Sequence, residues 1–308
     1  MKKDLLRMDD LTKEDIIEIL NLADQLKYEL KHGIPHEHLK GQTLGMIFEK
    51  RSTRTRVSFE TGMYQLGGNA LFLSSRDLQI GRGEPIEDTA RVLSRFVQGI
   101  MIRTYSDEEA EKLAKYSSIP IINGLTDLEH PCQVLADLMT IREYKNILDG
   151  LNVAYIGDGN NMSHSLIIGC LKLGMNFSIA CPKEYMPQES YINRGKEIAA
   201  SENVQFNIYH DPKEAAKNAD VLLTDVWESM GHEQETEERR KFFKGFQINN
   251  ELLSLADDNV MVLHCLPAHR GEEITAEVLE DHAAEIFDES ENRLHAQKAI
   301  LVKLMKKN

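Results

Sequence analysis

The residues best equipped for chemistry stand together near the start of the chain, in Glu49-Lys50-Arg51-Ser52-Thr53-Arg54-Thr55-Arg56-Val57-Ser58-Phe59-Glu60. Hydroxyls and guanidinium groups alternate here at the expected start of a helix, with Ser52 or Thr53 as its N-cap. The macrodipole favours acids at that end, yet Lys50, Arg51, Arg54 and Arg56 crowd it. An anion seated on free backbone N–H groups, hydroxyls and guanidinium forks resolves the conflict; a solvated basic turn is the plainer alternative. Other polar residues directly follow apolar runs: Arg103, His130 with Gln133, Asn160-Asn161, Asp225 to Gly231, and His264-Cys265-Leu266. Singly each has an ordinary reading. Arg103 could form a surface ion pair, His130 could cap the helix opened by Pro131, and Cys265 could be a small buried hydrophobe. Together they match the carboxyl ends of parallel strands, where open α/β sheets bind ligands.

The elements that must carry them follow from periodicity. Leu44 to Phe48 reads as a buried strand, and Val57, Phe59, Met63 and Leu66 recur at helical spacing until Gly67-Gly68. Further strands are expected at 70–73, 99–103, 119–122, 151–157, 177–181, 204–208, 221–226 and 260–263, alternating with helical stretches. That alternation predicts two doubly wound parallel-sheet α/β domains joined by bridging helices. The expected domains are 1–145, holding the cationic turn, and 146–287, with a C-terminal helix at 288–308 packing back on the first. That helix is expected to begin near Ser290, placing Arg293 in its first turn. Residues 232–244, unusually charged, read as a surface helix or a lid.

At 308 residues the chain suits two domains of about 150 residues each. Thirty-six basic against 50 acidic residues give a net charge of −14, which disfavours nucleic acid or an anionic membrane as partner. The basic turn is thus a local exception that fits a small anion. Cys132, Cys170, Cys181 and Cys265 have neither metal-site nor disulfide-framework spacing. No apolar signal region or membrane-length run is present, so a soluble, cytoplasmic protein is expected.

Ser-Thr-Arg-Thr-Arg (52–56), His-Pro-Cys-Gln (130–133), Asp-Val-Trp-Glu-Ser-Met-Gly (225–231) and His-Cys-Leu-Pro (264–267), in this order, resemble the carbamoyltransferases. The last two motifs point to the ornithine-using members. The resemblance runs on to Glu-Asn-Arg-Leu-His (291–295). It implies transfer of the carbamoyl group of carbamoyl phosphate to the δ-amine of L-ornithine, giving citrulline and phosphate. By the family's pattern Ser52, Thr53, Arg54, Thr55 and Arg103 hold the phosphate, with Gln79 acting at a subunit boundary. Thr55, Arg103 and His130 donate to the carbonyl oxygen, Gln133 holds the carbamoyl NH₂, and Arg293 with the Cys265-Leu266 backbone closes that end. Asp225 binds the α-ammonium, Cys265 lies near the δ-nitrogen, and Asn161, Ser229 and Met230 take the α-carboxylate. The resemblance also implies a homotrimer or a multiple of it; no metal or cofactor is expected, since side chains cover both acceptor activation and oxyanion stabilisation.

Aspartate as acceptor conflicts with Asp225 and a neutral Cys265 by like-charge repulsion. Putrescine or an N-acylated ornithine is a closer alternative, although a diamine has no carboxylate for Ser229-Met230. Gly157-Asp158-Gly159-Asn160-Asn161-Met162 is a partial dinucleotide fingerprint that lacks its third glycine and a ribose-binding acid. A Cys–His hydrolase on Cys265 needs a base from His264 or His269. A catalytically silent binding subunit should have lost Arg54, Arg103, His130, Asp225 or Arg293, and all five are present.

Overall fold

The computed structural model describes residues 3–80, 83–227 and 236–306. The chain forms two compact units: one runs to Ala136 and resumes at Asn292, and the other is Asp137–Glu291. Both crossings fall within helices, α5 (Pro131–Lys145) and α12 (Ala283–Met305). The first division therefore lies inside the bridging helix α5.

The first unit contains α1 (Lys13–Lys31), β1 (Thr43–Phe48), α2 (Thr53–Gln65), β2 (Asn69–Ser74), α3 (Ile86–Leu93), β3 (Gly99–Arg103), α4 (Asp107–Tyr116) and β4 (Ile121–Leu125). Thr12 caps α1 in a reciprocal box with Asp15, as their spacing predicts. The strands form one parallel sheet in the order β2-β1-β3-β4. Ile47, Ile100, Ile102 and Ile121 pack with Ala90 and Leu113 from α3 and α4.

The second unit contains β5 (Asn152–Ile156), α6 (Asn161–Lys172), β6 (Asn176–Ala180), α7 (Glu189–Glu202), β7 (Phe206–Tyr209), α8 (Pro212–Ala216), β8 (Val221–Thr224), α9 (Thr236–Phe243), α10 (Asn250–Leu253), β9 (Met261–His264) and α11 (Ala276–Asp281). Its five strands are parallel in the order β7-β6-β5-β8-β9. No helix among the described residues is long and apolar enough to cross a membrane.

Each sheet has a topological switch where the winding reverses, between β1 and β3 in the first and between β5 and β8 in the second. Doubly wound sheets open a crevice at such a point. Ser52 follows β1 and Arg103 ends β3; Asn160 follows β5 and Asp225 follows β8. Both polar sets thus fall at switch strands.

Candidate active site

In the first unit Ser52 is the N-cap of α2, its hydroxyl accepting from the Thr55 N–H at 3.2 Å. This decides between the two capping candidates and leaves Thr53 as the first helical residue. No acid occupies the first turn. Thr55 is buried and Arg54 half-buried, so the turn is not simply a solvated surface. Arg293 Nη2 donates to Thr55 Oγ1 at 2.7 Å, joining the C-terminal helix to the anion loop within this unit. Arg293 does not lie in a first turn, as expected from a start near Ser290: α12 begins at Ala283, so Arg293 sits mid-helix. Its charge is explained by Thr55 rather than by a helix end.

Arg103 is buried at the end of β3, opposite Phe48 in register. Lys50 is buried beside it, bonded to Asp127 and 4.2 Å from the Tyr105 ring centroid. His130 and Gln133 are buried at the start of α5. Burial, then the charges of Arg293, Arg103 and Lys50, hold the His130 imidazole well below its ordinary pKa. A neutral imidazole offers one N–H and avoids adding positive charge to this cluster. Gln79 stands apart, exposed in the loop after β2. No hydrogen bond among the described residues joins its side chain to Ser52, Arg103 or Arg293.

A cavity of about 620 Å³ opens beside this loop, lined in part by Arg51, Ser52, Thr53, Arg56, Phe72 and Arg76. Arg56 lies 3.8 Å above the Phe72 ring and pairs with Glu60.

The second unit gathers a different set. Asn160 caps α6, its side-chain oxygen accepting from the Met162 and Ser163 N–H groups at 3.0 and 3.3 Å. Its Nδ2 donates to Asp225 Oδ2 at 3.0 Å. The other carboxylate oxygen accepts from the Val226 N–H at 2.8 Å and from the Cys265 thiol at 3.1 Å. Asn161, first in α6, is buried. Motif reading selected Asn161 and missed Asn160 as the fixing partner of Asp225; its place as a cap just beyond β5 was the available signal. Ser229 and Met230 lie outside the described residues, as do residues 232–235 of the expected lid. Thr236–Phe243 of that stretch form α9.

Burial raises the Cys265 pKa well above that of a free thiol, and Asp225 and Glu289 add to the effect. Cys265 is therefore a protonated donor at neutral pH rather than a thiolate nucleophile. His264 cannot serve it as a base. Its Nδ1 accepts from the Leu266 N–H at 2.9 Å, so the proton lies on Nε2, 2.9 Å from Glu273. The same engagement uses up the imidazole as a metal ligand, although Asp225, His264 and Cys265 place ligand atoms within 4.8 Å of one another. Leu266 adopts φ 54° before a cis peptide bond to Pro267.

The partial fingerprint has a local structural use. A Cβ on Gly159 would meet the backbone of residues 185–187, at 2.2 Å from Pro187 N. The glycine lets that segment cross, and the Gly159 N–H donates to the Tyr185 carbonyl at 2.9 Å.

Two doubly wound units, one presenting guanidinium groups and hydroxyls at its switch strands and the other a carboxylate with a protonated thiol, define a two-domain α/β group transferase. Residues 3–143 match "Aspartate/ornithine carbamoyltransferase, carbamoyl-P binding domain", and residues 149–304 match the Asp/Orn binding domain of the same family. The chain is 56% identical to an ornithine carbamoyltransferase of Carboxydothermus hydrogenoformans, covering 98% of this chain and 97% of the relative. It is 55% identical to one from Methanosarcina mazei, over 99% and 100%. The solved ornithine carbamoyltransferase of Pyrococcus furiosus superposes with a TM-score of 0.94 at 52% identity, covering 98% of this chain and 96% of that one. The chain belongs to the aspartate/ornithine carbamoyltransferase family.

Proposed function

We infer that the protein transfers the carbamoyl group of carbamoyl phosphate to the δ-amine of L-ornithine, releasing citrulline and phosphate. The observation that carries the choice of acceptor is the Asp225 carboxylate, held by Asn160, the Val226 N–H and the Cys265 thiol. A fixed carboxylate suits an α-ammonium and repels the second carboxylate of aspartate. The relatives named above are called ornithine carbamoyltransferases, which supports the same reading.

On this reading the first unit binds carbamoyl phosphate. Ser52, Thr53, Arg54, Thr55 and Arg103 take the phosphate, and the free N–H groups at the start of α2 add to them. Thr55, Arg103 and His130 donate to the carbonyl oxygen as it gains charge, and Gln133 holds the carbamoyl nitrogen. Arg293, fixed by Thr55, adds charge at that end with the Cys265-Leu266 backbone. Donors held in position before the reaction need no reorganisation as the oxyanion forms.

The acceptor needs its free amine. With a pKa of about 10.4 for a lysine-like amine, roughly a thousandth is neutral at pH 7.4. Asp225 binds the α-ammonium, with Asn161, Ser229 and Met230 assigned to the α-carboxylate. Cys265, neutral and beside Asp225, faces the δ-nitrogen without adding charge there. The amine attacks the carbamoyl carbon, the carbon–oxygen bond to phosphate breaks, and the departing phosphate accepts the surplus proton.

The functional assembly is a homotrimer or a multiple of it, with Gln79 acting on a neighbouring copy. Support comes from the edge strand β2, which exposes Leu71 and Phe72 close to the exposed Val57 and the cavity beside the anion loop. Exposed apolar side chains on an unpaired edge suit a protein partner. Four cysteines without a disulfide among the described residues fit a reducing, cytoplasmic setting. Citrulline formation from carbamoyl phosphate, with ornithine, putrescine and aspartate offered separately, tests the function.

A further inference from the structure

A buried cation lies beside the acceptor residues without belonging to any motif that identified them. Arg239 of α9 is 8% exposed. Its Nη1 donates both to Asp158 Oδ2 at 2.7 Å and to the Trp227 carbonyl at 2.8 Å. The guanidinium lies 4.7 Å from the Tyr185 ring centroid. Asp158 and Trp227 belong to the two loops that leave the switch strands of this sheet. Asp158 stands two residues before Asn160, and Trp227 two residues after Asp225. Those loops meet again where the Asn160 amide reaches the Asp225 carboxylate. One nitrogen of Arg239 therefore ties the same pair of loops together.

We propose that Arg239 is a positioning residue for the acceptor: it sets the separation of the loops after β5 and β8, and thereby the orientation of Asp225 towards the substrate α-ammonium. It acts through Asp158 and the Trp227 backbone and needs no contact with substrate. A planar cation on an aromatic face, with one nitrogen shared by two oxygens, has few ways to shift. A displacement of about an ångström in a binding group is enough to cost roughly a hundredfold in rate. The ion pair and the carbonyl contact both lie in the unit that carries Asp225, so the effect should fall on the acceptor. The proposal rests on the reading of Asp225 as the acceptor-binding carboxylate.

The test compares Arg239→Met, Arg239→Lys and the double variant Arg239→Met with Asp158→Asn against the native protein, measuring Tm and both KM values in the citrulline assay. Removing Arg239 alone takes the ion-pair partner from a buried Asp158, which by itself lowers Tm. The double variant removes that charge. The expected result is a tenfold to hundredfold rise in ornithine KM in Arg239→Met and in the double variant, with carbamoyl phosphate KM within about twofold of native. Recovery of Tm in the double variant should leave ornithine KM high, and Arg239→Lys should recover most of the native ornithine KM. Ornithine KM returning to native together with Tm would overturn the proposal and leave a purely structural ion pair. So would a parallel rise in both KM values. A native protein that makes no citrulline would instead defeat the assignment of function.

Discussion

At Asp225 each carboxylate oxygen already has a partner, so the charge is aimed rather than loose. Asp225→Asn keeps the shape and removes the charge. Steady-state kinetics should show ornithine KM rising at least tenfold while carbamoyl phosphate KM stays within about twofold, since one lost charged hydrogen bond of about 1.5–3 kcal/mol corresponds to such factors. Equal changes in both would contradict the assignment. Arg293→Gln removes the cation that holds Thr55, a donor to the carbonyl oxygen, and kcat should fall by up to about 10² to 10³, the usual cost of one preorganised oxyanion donor. His130 supplies a pH prediction. Its folded-state pKa is depressed, so the imidazole is neutral throughout neutral pH, and the stability of that neutral form is present above the unfolded value and lost as pH falls through the folded one. The kcat/KM for carbamoyl phosphate should therefore show no His130 ionisation between pH 6.5 and 9. A break near 6.5 that vanishes in His130→Asn would contradict it. The motifs made Asp225, Cys265 and Arg293 legible because each has a polar type in a telling place. Asn160 was legible as a strand-end residue but not as the partner of Asp225, and Arg239 and Glu273 were not legible, because their partners are set by loops brought together only in the fold.

Most elements follow from apolar periodicity, and the departures have local causes. The strand expected at 119–122 runs instead over Ile121–Leu125, since polar Asn123 is held there by Leu5 and Leu6, its N–H donating to the Leu5 carbonyl and its amide to that of Leu6. The strand expected at 204–208 begins at Phe206, because the Val204 N–H still closes the end of α7 on Ala199. Helix α12 starts earlier than its polar stretch suggests. Glu285 and Glu289 accept the N–H groups of Val262 and His264 at 2.8 Å each. The same helix buries Lys298, whose three ammonium hydrogens face Gln65 Oε1 at 3.0 Å, His36 Nε2 at 3.2 Å and the Leu26 carbonyl at 3.4 Å. Burial still pushes its pKa down to about 8, from 10.5 for a free lysine. The unfolded chain therefore binds the proton more tightly, and folding stability rises with pH between those values. Thermal unfolding of the native protein against Lys298→Met should shift in favour of the native form from pH 8 to 10. A difference independent of pH would show that Lys298 titrates normally.

At the scale of the molecule, the proposed assembly and the proposed reaction are separable. An exposed edge strand bearing Leu71 and Phe72 should be covered in the oligomer. Light scattering should return three chain masses or a multiple, and Phe72→Glu should shift the protein towards monomer and lower activity. A monomeric native protein with full activity would remove Gln79 from the site. The central claim is that a cationic oxyanion loop and a carboxylate–thiol pair serve one carbamoyl transfer to an α,δ-diamino acid. Citrulline production at saturating carbamoyl phosphate tests it most directly. The account predicts rapid turnover with ornithine, with carbamoylation of putrescine and aspartate at least a hundredfold slower in kcat/KM, which corresponds to about 2.7 kcal/mol of discrimination. Equal turnover of putrescine, or none of ornithine, would contradict it.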